Sequence, residues 1–196
     1  IVLMASSLML CALIPLVSTV ALASVPGDLF VVVSVLLVGT VSLALLGLES
    51  GTAFGGMGSS RHMVIAAMVE PTVLLSVYAL SVPAGTSDLA AIVQARVADP
   101  ISLLNPVSLL AIFALVVVVI AETGRLPVDN PSTHLELTMV HEAMILESGG
   151  RDLGWLELGS WLRLTALLGL VANLAVPWGV APDAAPLSLL VGVGAV

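Results

Sequence analysis

The feature that most constrains the fold of this chain is a series of long apolar segments separated by shorter polar ones. A helix needs about 20 predominantly apolar residues to cross the hydrocarbon core of a bilayer. Five segments meet this requirement and a sixth begins before the sequence ends: residues 1–24, 29–48, 63–82, 101–121, 158–178 and 184–196. Because backbone groups in lipid must pair within their own segment, we predict an all-α polytopic membrane protein that forms one membrane domain over 1–196.

Composition supports this prediction and excludes several classes of function. Hydrophobic residues make up 59% of the chain and charged residues 9%, against about 45–50% and about 25% in soluble domains. The net charge of −8 argues against a nucleic-acid partner, which requires a basic surface. Cys11 is the single cysteine, so this chain alone holds no internal disulfide, cysteine-ligated zinc or iron–sulfur cluster.

The two ends of the sequence indicate a fragment. The chain begins at Ile1 and stops at Val196, each inside an apolar run, so we expect a longer subunit. A signal peptide is an alternative interpretation of the first segment, because Ala21-Leu22-Ala23 resembles a cleavage site. However, no basic region precedes it, and its apolar run is longer than the usual run of about 7–15 residues.

The polar loops suggest how the chain is oriented. Loops 49–62 and 122–157 lie on the same side of the predicted membrane, and they carry Arg61, Arg125 and Arg151. The positive-inside rule therefore places both loops in the cytoplasm.

The fifth segment is flanked by the three tryptophans of the chain, as expected for aromatic belts at the membrane surfaces: Trp155, Trp161 and Trp178. Arg163 lies near the beginning of this segment, and we expect its side chain to extend to the membrane surface.

Glycines crowd the second loop, at positions 51, 55, 56 and 58. The cluster has no Gly-Lys-Ser/Thr and follows no strand, so it is not a phosphate-binding loop. A flexible connector or a close helix contact remains, with Ser59 or Ser60 as the expected cap of the third helix.

The loop 122–157 concentrates the acidic residues. Seven of the 13 lie there: Glu122, Asp129, Glu136, Glu142, Glu147, Asp152 and Glu157. A solvated loop is the simplest interpretation, but apolar residues are interleaved with the charges. Asp129-Asn130-Pro131 is typical of a helix start and Gly149-Gly150 of a helix end, so we predict a cytoplasmic amphipathic helix between the fourth and fifth spans.

Two histidines lie on this predicted helix. His134 and His141 are seven residues apart and therefore share nearly the same face. Zinc motifs place two histidines four residues apart with a further ligand, so the spacing argues against a metal site. Hydrogen-bonded or partner-contacting histidines are the simpler interpretation, and proton transfer is the alternative.

Glu70 is the most informative single residue. It lies about 10 Å into the third segment when counted from Met63. A carboxylate at that depth is costly and indicates a functional site, and Pro71 frees a backbone carbonyl nearby. A neutral Glu70 hydrogen-bonded between helices is the structural alternative. Arg61 lies on the opposite helix face, nine residues earlier.

A family resemblance adds to this interpretation. The stretch AETGRLPVDNPSTHLELTMVHEAMILESGGRDL, residues 121–153, begins with the A-E-T-x-R-x-P-x-D pattern. It resembles the quinone-site membrane subunit of respiratory complex I, the NADH dehydrogenase subunit 1 family. The continuation of this stretch, together with ESGTAFGGMGSSRHMVIAAMVEP (49–71), is similar to the related subunits of membrane-bound NiFe hydrogenases, the hydrogenase-4 component C and formate hydrogenlyase subunit 4 group.

The resemblance implies roles for particular residues. Glu70 matches the buried glutamate of the family's fourth helix, and Arg61 matches the arginine nine residues before it. The loop that carries quinone-cavity or coupling functions in the family here contains Glu122, Arg125, Asp129, Glu136 and Glu142. Near the end of this loop Glu147-Ser148-Gly149-Gly150 lacks the tyrosine of complex I members, a departure that weighs against a quinone site.

The resemblance also implies a function and partners. The five spans would be the second to sixth of about eight helices, in a subunit of the cytoplasmic membrane that contacts peripheral hydrogenase-like large and small subunits and antiporter-like membrane subunits. Such a subunit couples electron transfer to proton or sodium movement. Its partners hold the NiFe and iron–sulfur centres, and quinone is a candidate ligand. The alternatives are a quinone-site subunit of an NADH:quinone oxidoreductase, a stand-alone transporter and a structural anchor.

Overall fold

The structure, a computed structural model, describes residues 1–14, 28–99, 105–125, 128–129, 140–145 and 148–176. Regular structure within these ranges is helical, and seven α-helices are seen there: α1 (Val2–Leu13), α2 (Leu29–Glu49), α3 (Ala53–Ser81), α4 (Leu89–Ala98), α5 (Pro106–Glu122), α6 (His141–Ile145) and α7 (Gly150–Ala175). A short 3-10 turn, Val82–Ala84, continues α3.

Three of these helices are long and apolar enough to cross a membrane: α2, α3 with its 3-10 turn, and α7. The apolar helices α1, α4 and α5 are shorter. Helix α1 packs against α2 and α7, and α3 packs against α2 and α5. The core lies between these helices and is built from buried aliphatic side chains such as Leu10, Val32, Leu80, Leu115 and Leu170. The fold is that of a multi-pass helical membrane protein.

The third helix starts ten residues before the predicted span. Thr52 caps it, because its side-chain oxygen accepts from the amide of Gly55 at 3.2 Å. Residues 53–62, expected to be a loop, therefore form the first turns of α3. Ser59 and Ser60 lie inside the helix, so the expected cap was wrong, and Ser59 instead donates to the Ala44 carbonyl on α2 at 2.9 Å.

The glycine cluster brings α2 and α3 together. Gly55 and Gly58 are buried, and a Cβ on Gly55 would collide with the backbone carbonyl of Gly47. Of the two interpretations, the close helix contact is confirmed for these two positions. Gly51 supplies the turn between the helices with a φ of +64°, a conformation that glycine adopts without strain.

The fifth predicted span also starts earlier. Gly149 caps α7 and Gly150 is its first residue, so this pair begins a helix rather than ending one. Residues 150–157 of the predicted loop are consequently helical. Trp155 and Trp161 are exposed on α7. Trp178, the sixth segment and residues 15–24 lie outside the described residues.

The amphipathic helix predicted after Asp129 is described only in part. Residues 130–139 and 146–147 lie outside the described ranges, and the five-residue α6 lies in the second half of the predicted helix. The described part, α6, packs into the bundle rather than on its surface. Met144 is 2% exposed, and Ala143 lies beside Gly58 of α3.

The connection between α3 and α5 contains the buried helix α4 at the other end of the bundle. Leu89 and Ile92 are fully buried there, and the Leu29 amide donates to the Ser87 carbonyl at 3.0 Å. Arg96 is 4% exposed and its Nη1 donates to the Leu174 carbonyl at 2.9 Å. The guanidinium thus caps the C-terminal turn of α7, where cations are favoured.

Candidate functional site

The centre of the site is an ion pair between Arg163 of α7 and Glu122 at the end of α5. Arg163 is 6% exposed and lies about 20 Å along the axis from Gly150, the first residue of its helix. The expected extension of Arg163 to the membrane surface was wrong. Arg163 lies in the middle of α7 and not at the end of a span, because the helix starts earlier than the apolar run indicates.

Thr40 joins the ion pair from α2. Its hydroxyl is within hydrogen-bond distance of the Glu122 Oε1 atom, at 2.8 Å, and of Arg163 Nη2. Because Thr40 is about 14 Å along the axis from the end of α2 at Glu49, Glu122 lies within the bundle rather than at its edge. Glu122 thus pairs with Arg163 across the bundle, whereas Arg125, three residues after it, is exposed.

The guanidinium of Arg163 fits against the backbone of α2. Its Nη2 atom donates to the Leu36 carbonyl at 3.1 Å, a carbonyl that Thr40 also contacts at 3.0 Å. Gly39 leaves room for the group, since a Cβ there would come 2.8 Å from Nη1. The Nε atom of Arg163 is buried without a hydrogen-bond partner among the described residues.

Two titratable side chains of α3 lie near this ion pair. His62 is 8% exposed and its Nε2 atom is buried without a described partner, as is Oε1 of Glu70. Both side chains are within electrostatic reach of Glu122 and Arg163. Glu70 is about 26 Å along α3 from Ala53, much farther from the helix start than the 10 Å expected from a helix beginning at Met63.

Asp129 connects α5 to α6. Its Oδ2 atom accepts from the amides of His141, at 2.9 Å, and Val140, at 3.2 Å, and the residue is 5% exposed. The carboxylate therefore caps α6 at its first residue, His141. Oδ1 of Asp129 is buried without a partner in the described part of the chain.

A cavity of about 560 Å³ joins these groups. Its polar lining includes His62, Glu122, Asp129, His141 and Arg163, and Arg125 lies at its wall. Glu157 and Ser160 of α7 also line it, and its apolar lining is Leu3, Leu43, Leu164 and Trp161. Buried polar atoms that lack protein partners are ordinarily satisfied by water. The arrangement can therefore hold water next to groups that bind and release protons.

The structure brings together only some of the predicted site residues. Glu122, Arg125, Asp129 and His141 share the cavity, and Glu70 lies within electrostatic reach of Glu122. Arg61 is half-buried on α3, next to His62. His134 and Glu136 lie outside the described residues, and Glu142 is described only as a helical backbone position of α6.

Sequence reasoning missed Arg163, Thr40 and His62 as members of this cluster. Arg163 carried a usable signal, because a charge within an apolar span is rare and calls for a partner. Thr40 and His62 carried none, because a single threonine or histidine is common on a helix surface.

Comparison with known proteins identifies the family of the chain. A family model described as NADH dehydrogenase matches residues 1–192. The chain belongs to the NADH dehydrogenase family. Hydrogenase-4 component C of Escherichia coli (strain K12) is 30% identical over 182 residues, which is 93% of this chain and 56% of that protein.

Formate hydrogenlyase subunit 4 of the same organism is 28% identical over 153 residues, or 78% of this chain and 48% of that protein. The chain thus spans about half the length of the curated relatives it matches.

Proposed function

We propose that this chain is the membrane-anchoring, ion-translocation-coupling subunit of a membrane-bound NiFe hydrogenase or a complex I-like assembly. It would link electron transfer in a peripheral arm to proton or sodium translocation. The family match and the two hydrogenase-type relatives support the assembly class. The NiFe and iron–sulfur centres would belong to peripheral large and small subunits, and antiporter-like subunits would continue the membrane arm.

The observation that carries the coupling role is the position of the Glu122–Arg163 pair. It lies inside the bundle, shares a cavity with His62, Asp129 and His141, and is within electrostatic reach of Glu70. Groups that lie in one cavity respond to each other's charge, because the effective dielectric constant there is well below that of water. Glu70 does not line the cavity but lies within electrostatic reach of Glu122 and Arg163. A redox event beside the loop 122–157 that changes the charge of this pair would change proton binding at Glu70.

The finer architecture belongs to the same proposal. The spans would number five with a truncated sixth, and an amphipathic helix would follow Asp129. Segments 49–62 and 122–157 would face the cytoplasm. Glu136, Glu142 and His134 would extend the site toward the peripheral arm, with Arg61 beside it.

The test is Glu70→Gln in the full-length subunit within its native membrane complex. We expect a loss of coupled ion uptake of about tenfold or more in vesicles, with assembly and electron transfer retained, because Gln cannot carry a proton. Glu49→Gln is the matched control, since Glu49 is exposed at the end of α2. Wild-type ion uptake in Glu70→Gln would refute the coupling role and favour a structural anchor.

Purification of the complex in mild detergent identifies the assembly. Nickel together with a hydrogenase-like large subunit would support the hydrogenase assignment. A nickel-free complex with flavin and iron–sulfur subunits would support the NADH:quinone oxidoreductase assignment. Recovery of the full-length protein without partners would leave a stand-alone transporter.

The quinone-site alternative is favoured by the size of the cavity. About 560 Å³ is within the range of small-molecule sites, and Leu43 and Trp161 provide apolar walls beside His62 and His141. These residues fit a quinone head group, which would supply two-electron, two-proton chemistry when bound. Trp161→Ala would then raise the quinone KM, whereas the hydrogenase assignment without quinone leaves electron transfer unchanged.

A further inference from the structure

The side chain of Arg163 contacts helix α2 in addition to forming an ion pair with Glu122. One atom, Nη2, contacts the Glu122 carboxylate, the Thr40 hydroxyl and the Leu36 carbonyl. These contacts join α7 to α5 and α2. The space at Gly39 holds the guanidinium, so its position is fixed from two sides.

The charge of Arg163 influences titratable side chains other than its ion-pair partner Glu122. The charged groups that act on Glu70 are Glu122 from α5 and Arg163 from α7. His62 is influenced by the same two residues and by His141 of α6. Helix α2 adds no titratable group at this depth, because its one such residue, Glu49, is at its end. The charges of Glu122 and Arg163 therefore act on Glu70 in opposite directions.

We propose that Arg163 is a positioning residue for proton transfer, which holds the Glu122 carboxylate on α2 and cancels its charge next to Glu70 and His62. The inference rests on the proposed coupling function. It assigns to Arg163 a role through Glu122 and no contact with a transferred proton. Neither charge of the pair can then be removed alone without changing proton binding at Glu70.

The test is a charge cycle read at Glu70 itself. In the full-length complex in detergent, the infrared band of the protonated Glu70 carboxyl is titrated with pH, and Glu70→Gln assigns the band. A unit charge within about 10 Å at an effective dielectric constant near 20 moves such a midpoint by about one pH unit. Arg163→Gln removes a positive charge, so its midpoint moves upward by about one unit. Glu122→Gln removes a negative charge, so its midpoint moves downward by a similar amount.

The double variant Arg163→Gln/Glu122→Gln distinguishes charge compensation between the two residues from a purely structural role of their contact. Its local charge equals that of the wild type, so we expect its midpoint to return to within about 0.3 units. Arg163→Lys keeps the positive charge, so its midpoint should also stay within about 0.3 units of the wild-type midpoint. A purely structural bridge predicts shifts of the same sign in both single variants and no return in the double variant, and that result overturns the proposal.

The remaining variants and a separate measurement of ion uptake keep the inference falsifiable. If Arg163→Gln fails to assemble, Glu122→Gln and the double variant still give half of the cycle, and a missing return refutes the inference. Ion uptake is measured separately in the same complexes. A midpoint cycle that closes without any coupled uptake in the wild type rejects the proposed function and retains the charge balance. Coupled uptake in the wild type, together with a midpoint cycle that does not close, rejects the charge balance and retains the proposed function.

Discussion

At the scale of single residues, the Arg163–Glu122 pair shows how a membrane bundle can carry charge at depth. Removing one partner of a buried pair typically costs about 3–5 kcal/mol, because the other charge is left uncompensated. Replacing both partners by neutral groups is often nearly neutral for stability. The pair is therefore weak evidence for stability alone, and its position beside the cavity is the better reason to link it to function.

Asp129 offers a prediction at the same scale. Asp129→Ala removes the acceptor of two amides, those of Val140 and His141, so α6 should lose its cap. A lost cap costs about 1 kcal/mol, which corresponds to roughly fivefold faster amide exchange at these two positions. Hydrogen exchange with mass spectrometry measures this change.

Two variants control the Asp129 measurement. Asp129→Asn keeps one side-chain oxygen as acceptor and should fall between Asp129→Ala and the wild type. Asp152→Ala removes an exposed acid from α7 and should leave exchange at 140 and 141 unchanged. Equal exchange rates in Asp129→Ala and the wild type would contradict the capping role.

Residue-level prediction from the sequence relied on the cost of charge in lipid and on the family resemblance. Glu70 could be selected because a carboxylate in an apolar run requires an explanation, whereas Glu122 was selected as a member of the acidic loop 122–157 and through the resemblance. The pairing of Glu122 with Arg163 could not be predicted, because a contact between residues 41 positions apart depends on helix packing that no local pattern contains. The same limit hid the contact between Thr40 and Glu122, which lie 82 residues apart.

At the scale of helices, the apolar runs predicted the spans but not their ends. The polar starts of α3 and α7 were assigned to loops because their hydropathy is low. Thr52 and Gly149, as caps, mark the true beginnings. The glycines at the start of α3 look like a linker in sequence, yet the segment is helical, and α2 packs directly on Gly55 and α6 on Gly58.

The close contact between α2 and α3 gives a second prediction. Gly55→Ala places a methyl group against the Gly47 carbonyl, a backbone atom that cannot rotate away. We expect a loss of stability of about 1–3 kcal/mol, as for other overpacked sites. Gly56→Ala is the neighbouring control. Nothing lies within 4 Å of the position that its methyl group would take, so helix propensity should make it neutral or slightly stabilising. Thermal unfolding of the purified full-length protein in detergent ranks the two variants, and equal stability would contradict the contact.

Helix α4 gives a third prediction. Arg96→Gln removes the charged donor from the Leu174 carbonyl at the end of α7, so we expect a loss of about 1.5–3 kcal/mol, typical of charged hydrogen bonds. Arg151→Gln is the matched control, because Arg151 is exposed in the first turn of α7 and should change stability by less than about 0.5 kcal/mol. Thermal unfolding in the same detergent measures both. A stable Arg96→Gln variant would show that the cap adds little to the bundle.

At the scale of the whole molecule, the helix directions divide the bundle into two ends. One end holds Asp28, Asp88 and the C-terminus of α7, joined through the 28–88 bridge and Arg96. The other end holds the turn at Gly51 and the start of α7 at Gly150. The charge pattern assigned loops 49–62 and 122–157 to one side, and the directions of α2, α3 and α7 support that grouping within the described part of the chain.

Cysteine labelling tests which end faces the cytoplasm. Every native cysteine of the full-length protein, Cys11 among them, is first replaced by Ala, and single cysteines are then placed at the two exposed positions Arg151 and Pro83. In intact cells, a membrane-impermeant maleimide should label Pro83→Cys and leave Arg151→Cys unlabelled, because the positive-inside rule assigns the Arg151 end to the cytoplasm. In inverted vesicles the pattern should reverse. The opposite pattern would place the Gly150 end of the bundle, with Arg125, outside the cell. No cytoplasmic redox arm could then reach Glu122, and the proposed coupling would fail with the orientation.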